Sequence, residues 1–259
     1  LNTKLLSIEI IALPGIPLIK AGDDLVQIIL DGLQRAELTL QEHDTLVIAS
    51  KIVSKAEGRL VDLKTVTPGE KAHDLAEKTR KDARIVELVL RESEQISRYA
   101  PGVLIVQHRL GFTCANAGID QSNVDDREDC VLLLPYDPDK TASELHQRLF
   151  ERTGTKVGIV ISDSHGRPFR MGNTGVAIGV AGMPALVDLR GQSDLFGREL
   201  EISMQGYADL VASAAHLLSG EGDEGRPVIL LRGLQHPNGR NRAGRASDLN
   251  RAAKHDLYR

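Results

Sequence analysis

With 259 residues, 41% of them hydrophobic, the chain can bury a large core as one big domain or two modest ones, which excludes an intrinsically disordered protein. Its 32 basic and 36 acidic residues leave a net charge of -4, so it lacks the polycationic surface that drives nonspecific nucleic-acid binding. Aromatic content of 3% without tryptophan excludes a stacking platform for single strands.

Two cysteines, Cys114 and Cys130, are too few for a disulfide framework and have no metal-knuckle spacing, so a reducing cytoplasm is expected. No apolar run approaches the roughly 20 residues that cross a bilayer, and Leu1 to Lys4 do not make a signal peptide. The chain opens on Leu1 rather than methionine, which points to processing or trimming.

Leu5 to Ala12 reads as a first strand, followed by a rigid loop, Leu13-Pro14-Gly15-Ile16-Pro17, that lacks two backbone donors. Asp24 caps a helix predicted from Leu25 to about Ala36, with Leu25, Ile28, Ile29 and Leu33 on one face. Thr45 to Ala49 is a short strand running into Ser50, Lys51 and Lys55, so their ammoniums are expected at or just beyond a strand end. Thr67-Pro68-Gly69-Glu70 carries helix-start signals and predicts one long polar helix to about Glu94.

Gly102 to Gln107 and Phe112 to Ala117 are expected to pair around His108-Gly111, and the second leads into a carboxylate loop with Asp120 and Asn123. Val124 to Asp129 is acidic and expected to be exposed, whereas Cys130 to Leu134 reads as a buried strand. Thr141 and Glu144 form a capping box for a helix to about Arg152. After a strand at Val157 to Ile161 come two Gly-rich apolar segments, Gly175 to Gly182 and Ala185 to Leu189. Tyr207 to Leu218 has helical spacing, Val228 to Leu231 is a last strand, and the polar tail 234–259, with Gly239, has a weak helical pattern near Leu249. Strand pairs without intervening helices argue against a doubly wound order. The predicted fold is α+β, with mixed and antiparallel sheets and flanking helices, in a single module over 1–259 with room for two intertwined subdomains.

The most suggestive stretch is Ile161-Ser162-Asp163-Ser164-His165-Gly166-Arg167-Pro168-Phe169-Arg170, expected as a loop where the buried strand opens. Asp163 is a hard oxygen ligand of the kind Mg²⁺ or Mn²⁺ prefers, Ser164 can add a second, and Arg167 and Arg170 can meet phosphate oxygens bidentately. His165 suits a substrate contact or a structural hydrogen bond equally. Asp-Ser-His-Gly is also ordinary turn chemistry. One theme recurs along the chain: Lys51 with Lys55, Asp120 with Asn123, Asp163 with Ser164, and Glu221 with Asp223 and Glu224 in the turn Ser219-Gly220-Glu221-Gly222-Asp223-Glu224-Gly225. Brought together, these would hold a carboxylate-bound metal pair facing lysine-bound phosphates; apart, they are solvated charges and turn caps. Phosphate-loop, dinucleotide, zincin and nucleophile-elbow motifs are all missing from the sequence.

Taken jointly, Leu13-Pro14-Gly15-Ile16 with Gly22 to Leu25, Ala49 to Lys55, Cys114 to Asn123, Ile161 to Gly179 and Ser219 to Gly225 resemble the coenzyme F420 γ-glutamyl ligase family in order and spacing over essentially the whole chain. The resemblance implies a GTP-dependent ligase that adds L-glutamate to the lactyl carboxylate of a phosphorylated deazaflavin precursor of coenzyme F420 and then extends γ-linked glutamates. It also implies an α+β homodimer, two divalent ions (Mn²⁺ or Mg²⁺) and a potassium requirement. On the matching positions, Asp120 and Asp163 would hold the first metal, and Ser164 and Glu221 the second. The family pattern also admits Gln at position 221. Nucleotide contacts would fall on Leu13, Pro14, Gly15, Ile16, Ser50, Lys51, Lys55, Asn123 and the stretch Ser219 to Gly225. Some bacterial relatives carry a further flavin-reductase-like domain after a segment like this one. The catalytic set implied is Asp120, Asp163 and Lys51, with His165, Arg167 and Arg170 as substrate contacts. A metal-dependent phosphoester or nucleotide hydrolase would use the same acids and lysines on water, and a noncatalytic nucleotide-binding module is a third reading.

Overall fold

A computed structural model describes residues 6–122, 124, 129–235 and 243–256. In chain order its elements are β1 (Glu9–Ala12), α1 (Leu25–Arg35), β2 (Thr45–Ala49), α2 (Ser50–Ala56), β3 (Leu60–Asp62), α3 (Glu70–Thr79), α4 (Ala83–Arg91), β4 (Ser93–Ala100), β5 (Val103–His108), β6 (Thr113–Ala115), β7 (Cys130–Leu132), α5 (Pro138–Thr153), β8 (Gly158–Arg167), β9 (Arg170–Ala181), β10 (Leu186–Asp188), β11 (Met204–Gly206), α6 (Tyr207–Ser219) and β12 (Val228–Arg232). Position 5 of the first predicted strand, the acidic stretch 125–128 and Gly239 of the tail lie outside the described residues.

The main sheet runs β1-β12-β2-β8-β9, with β2 and β8 parallel and the other neighbours antiparallel. Its central strands carry short continuous apolar runs, Leu46 to Ala49, Gly158 to Ile161 and Val228 to Leu231, because both faces are covered there. Leu46, Ile48, Ile159, Ile161 and Leu230 join the core shared with α1 and α5, while Val47, Val160, Ile229 and Leu231 join the core shared with α6. The period-2 alternation of a strand thus divides one continuous apolar run between two helix layers. The α+β expectation, with mixed and antiparallel sheets and flanking helices, matches this architecture.

Several local expectations need correction. The helix predicted from Thr67 to Glu94 is two helices, because Arg80 ends α3 in a left-handed conformation (φ 55°, ψ 39°) and the Asp82 carboxylate caps α4 through the Arg84 amide. The break lets α3 and α4 fold back onto β4-β5-β6, where Leu75, Val86 and Val89 meet Leu104 and Val106. Helix α5 begins at Pro138 under Asp137, not at a Thr141 box; the Thr141 hydroxyl instead donates to Glu57 Oε1 at 2.7 Å. The two Gly-rich segments do not pair with each other, since β9 pairs with β8 and β10 with β11. Val124, expected at the surface, is buried.

The largest correction concerns the stretch after Ile161. It is not a loop: β8 continues to Arg167 and pairs with β9 in a ribbon that projects past the end of β2. Ile161 faces Gly179 and Ser162 faces Ala177, so Ile178 is an additional residue on β9, a bulge. The Asp209 carboxylate accepts the Ala177 amide at 2.9 Å there.

A buried charge cluster joins β3, α4, β5 and the segment after β7. Glu92 is met by Arg59 Nη2 at 2.8 Å, Arg109 Nε at 3.0 Å and His108 Nε2 at 3.6 Å. Arg59 Nε also donates to the Leu134 carbonyl at 2.7 Å, and its guanidinium lies 4.0 Å from the centroid of the Tyr136 ring.

Candidate active site

Strands β2 and β8 end side by side, Ala49 opposite Ser162, and the chain then diverges into α2 on one side and the projecting ribbon on the other. Divergence of connections at the carboxyl ends of parallel strands opens a crevice. Here it is a cleft of about 450 Å³, floored by Val47 and Ile229 and completed by α6 and the turn after it. Ser50, Lys51, Lys55, Asp120, Asp163, Ser164 and the whole turn from Ser219 to Gly225 line it, so the charged positions singled out from separate segments share one space.

Alternation along β8 sets the two sides of the site. Asp163 and His165 point one way: the Ser50 hydroxyl donates to Asp163 Oδ1 at 3.0 Å, and His165 Nε2 lies 3.0 Å from Asp163 Oδ2. Phe112 packs on His165 with ring centroids 5.0 Å apart, and His108 stacks behind Phe112 at 5.2 Å. Cys114 is buried nearby, and burial together with the Asp163 charge pushes its thiol up to about 12, so it is an unreactive thiol. Ser162 and Ser164 point the other way, toward α6. The Ser164 hydroxyl donates to Glu221 Oε1, and His216 lies between them, with Nδ1 3.5 Å from both Ser164 Oγ and Glu221 Oε1 and Nε2 3.4 Å from Ser162 Oγ.

Asp120 reaches the cleft from a bridge to Leu132. Its Oδ2 is 2.7 Å from the Lys51 ammonium, and its Oδ1 accepts from the Ser122 amide and hydroxyl, each at 2.8 Å. Burial raises this carboxyl's pKa, but Lys51 and the Ser122 donors outweigh burial and hold it below the usual range. Lys51 sits just beyond the end of β2, as expected, on the first turn of α2. In the turn after α6, Gly220 has φ 74°, and a Cβ there would lie 2.1 Å from the Glu224 carboxyl carbon. Glu224 is folded back to accept the Gly222 amide at 2.8 Å, so it shapes the turn from within.

The structure does not bring every expected residue here. Of Leu13, Pro14, Gly15 and Ile16, only Ile16 lines the cleft, followed by Pro17, Leu18 and Ile19. Leu13 is a core residue, and the Gly15 carbonyl accepts from Arg35 Nη1 at 2.9 Å. Arg167 and Arg170 stand at the ribbon's turn, paired in register, and neither they nor His165 lines the cleft directly; Arg167 Nη2 donates to the Met171 carbonyl at 3.1 Å. Asn123 lies outside the described residues. Ser122, Ser162 and His216 were missed. Ser162 stands on the same side of β8 as Ser164, a parity that reading the stretch as a loop conceals, and nothing in the sequence marks His216.

Gly175 is where α6 meets the ribbon: a Cβ would fall 2.6 Å from both the Ala212 carbonyl oxygen and His216 Cδ2. Gly175→Val should therefore lower stability by about 1–3 kcal/mol and displace His216. A thermal melt together with the His216 imidazole NMR shift checks both; an unchanged melting point and shift would show that α6 has room there.

Among the described residues no group of three His, Cys, Asp or Glu side chains could hold a metal ion by itself. The oxygen donors present, Asp120, Asp163, Ser164 and Glu221 in one cleft, suit a hard cation that completes its shell with phosphate oxygens and water.

The sequence profile of the F420-0:Gamma-glutamyl ligase family matches residues 15–233. Similar proteins named "Coenzyme F420:L-glutamate ligase" occur in Methanopyrus kandleri (48% identical, covering 84% of this chain and 83% of the relative) and Methanothermobacter thermautotrophicus (43%, covering 98% and 100%). A third, in Archaeoglobus fulgidus, is 41% identical over 97% of this chain and 96% of its own. The cleft built by β2, β8, α2 and the Ser219–Gly225 turn lies wholly inside the matched span, and the chain belongs to the F420-0:gamma-glutamyl ligase family.

Proposed function

We propose that the chain joins L-glutamate to the lactyl carboxylate of the deazaflavin coenzyme F420 precursor, using GTP and an acyl phosphate, and then adds γ-linked glutamates. The observation that carries this reading is the convergence of Lys51, Lys55, Asp120, Asp163, Ser164 and Glu221 in one cleft, in a chain whose relatives are named for joining coenzyme F420 and glutamate. A carboxylate acylates an amine poorly and must first be activated, and phosphoryl transfer asks mainly for alignment and charge neutralisation.

Two divalent ions, Mn²⁺ or Mg²⁺, would supply neutralisation of the β- and γ-phosphate oxygens when bound at Asp120, Asp163, Ser164 and Glu221. Ser50 and His165 orient the Asp163 carboxylate, and Lys51 and Lys55 offset triphosphate charge. The glycines of the Ser219–Gly225 turn let backbone amides approach the nucleotide. Arg167 and Arg170, at the ribbon's turn, would meet only a part of a substrate that extends beyond the cleft.

The reading includes a potassium requirement, a cytoplasmic location and a homodimer. Exposed apolar side chains at the ribbon's turn (Phe169, Met171), in the 190–203 segment (Leu195, Phe196, Ile202) and on α6 (Leu210, Leu217) support self-association. No helix among the described residues is long and apolar enough to cross a membrane.

Phosphate release from GTP is the discriminating measurement. It should require both the deazaflavin precursor and L-glutamate, with mass spectrometry showing the precursor lengthened by glutamate residues. Steady release in the absence of both would favour a metal-dependent phosphoester or nucleotide hydrolase instead.

A further inference from the structure

We propose that Lys51 is an exchangeable counter-ion of Asp120 whose displacement couples entry of a divalent cation to entry of the nucleotide. The inference rests on the metal- and nucleotide-dependent reading above and concerns how that same cleft fills. The Lys51 ammonium is 2.7 Å from Asp120 Oδ2 and donates to the Ser122 carbonyl at 2.9 Å, while Asp120 Oδ1 is taken by the Ser122 amide and hydroxyl. Asp163 is engaged in the same way, Oδ1 by Ser50 and Oδ2 by His165. Each carboxylate oxygen that a cation would use at these two positions already meets a protein donor.

Ser50 and His165 can remain beside Asp163 without bringing a fixed positive charge. Lys51 cannot, because its ammonium occupies the position a dication would take on Asp120 Oδ2, and two cations at one oxygen repel strongly in a half-buried site. Lys51 has a flexible four-carbon stem, its side chain is 30% exposed, and it lines the cleft with Lys55 and the Ser219–Gly225 turn. With a triphosphate in the cleft the released ammonium gains a second anion. Without one its anionic and carbonyl partners among the described residues are Asp120 and Ser122. Divalent binding to the free protein is therefore weak, and metal and nucleotide strengthen each other by the same factor, as linkage requires.

The test uses the full chain and Mn²⁺ alone, with unbound Mn²⁺ read by its electron paramagnetic resonance signal. Lys51→Met should bind Mn²⁺ roughly five- to tenfold more tightly than wild type, a gain in cation affinity on losing a cation. Lys55→Met, with the same charge change one helical turn away, should stay within about twofold of wild type. Binding of a fluorescent non-hydrolysable GTP analogue, measured with and without Mn²⁺, supplies the coupling. Mn²⁺ should tighten it on the order of tenfold in wild type and by clearly less in Lys51→Met. Circular dichroism melts establish that both variants are folded.

A Lys51→Met protein no tighter for Mn²⁺ than wild type, or Lys55→Met matching its gain, would overturn the ion exchange while leaving the ligase reading intact. Absence of Mn²⁺ uptake by every form, with or without the analogue, would remove the metal reading itself.

Discussion

Asp163→Ala is expected to lower glutamate ligation by about 10³-fold or more while the protein stays folded. The side chain is half-buried at the point where β8 leaves the main sheet, with Ser50 and His165 aligned on its two oxygens. Alanine removes the charge but none of the large apolar side chains of either core, so the expected loss is in chemistry and not in folding. Two measurements check this: product formation at saturating GTP, glutamate, precursor and Mn²⁺, and a melting curve alongside wild type. Near-normal turnover at saturating Mn²⁺ would count against any metal-holding role for Asp163. A collapse of the melting point would instead make Asp163 a structural residue held by Ser50.

The second large effect is on stability. Glu92→Ala should cost about 3–5 kcal/mol, because it leaves Arg59 and Arg109 half-buried around a vacated carboxylate. Domains of this kind have about 5–15 kcal/mol in total, so the loss should be plain in a denaturant titration. Burial pushes the Glu92 carboxyl up, but His108, Arg59 and Arg109 outweigh burial and hold it at about 2, against an ordinary value of 4.5. The folded value lies below the unfolded one. The contribution of Glu92 is therefore fully present above about pH 4.5 and is lost as pH falls toward 2, amounting to about 3 kcal/mol. Unfolding free energy measured between pH 5 and pH 2.5 should fall more steeply in wild type than in Glu92→Gln. Parallel slopes would mean that other carboxylates govern acid unfolding.

How much of this was legible depends on whether the signal was local. Helix α1 was readable because Asp24 bonds the Val26 and Gln27 amides and the apolar spacing follows one face. Strands β2 and β12 were readable from short β-branched runs, and α6 from its spacing. Strand β4 was not, because Ser-Glu-Gln-Ile-Ser-Arg-Tyr-Ala is a polar edge with most of its side chains exposed. The ribbon was misread as a loop because Asp163-Ser164-His165-Gly166 carries turn residues, and only pairing with β9 makes it extended. Each cleft residue could be named, but their convergence is a long-range property. Lys51 and Asp120 are brought into contact by α2 and the bridge to Leu132, which no local pattern reports. The nucleotide contacts at Leu13 to Gly15 came from the family resemblance and not from any local pattern; in the structure Leu13 is in the core and the Gly15 carbonyl accepts from Arg35.

The parity of the ribbon has a consequence for how such chains can vary. Asp163 and His165 answer to one wall of the cleft, and Ser162 and Ser164 to the other, so a single-residue deletion or insertion just after Ile161 would exchange the two sets. Length changes toward the tip are harmless to this arrangement, whereas those at its root are tolerable only two residues at a time.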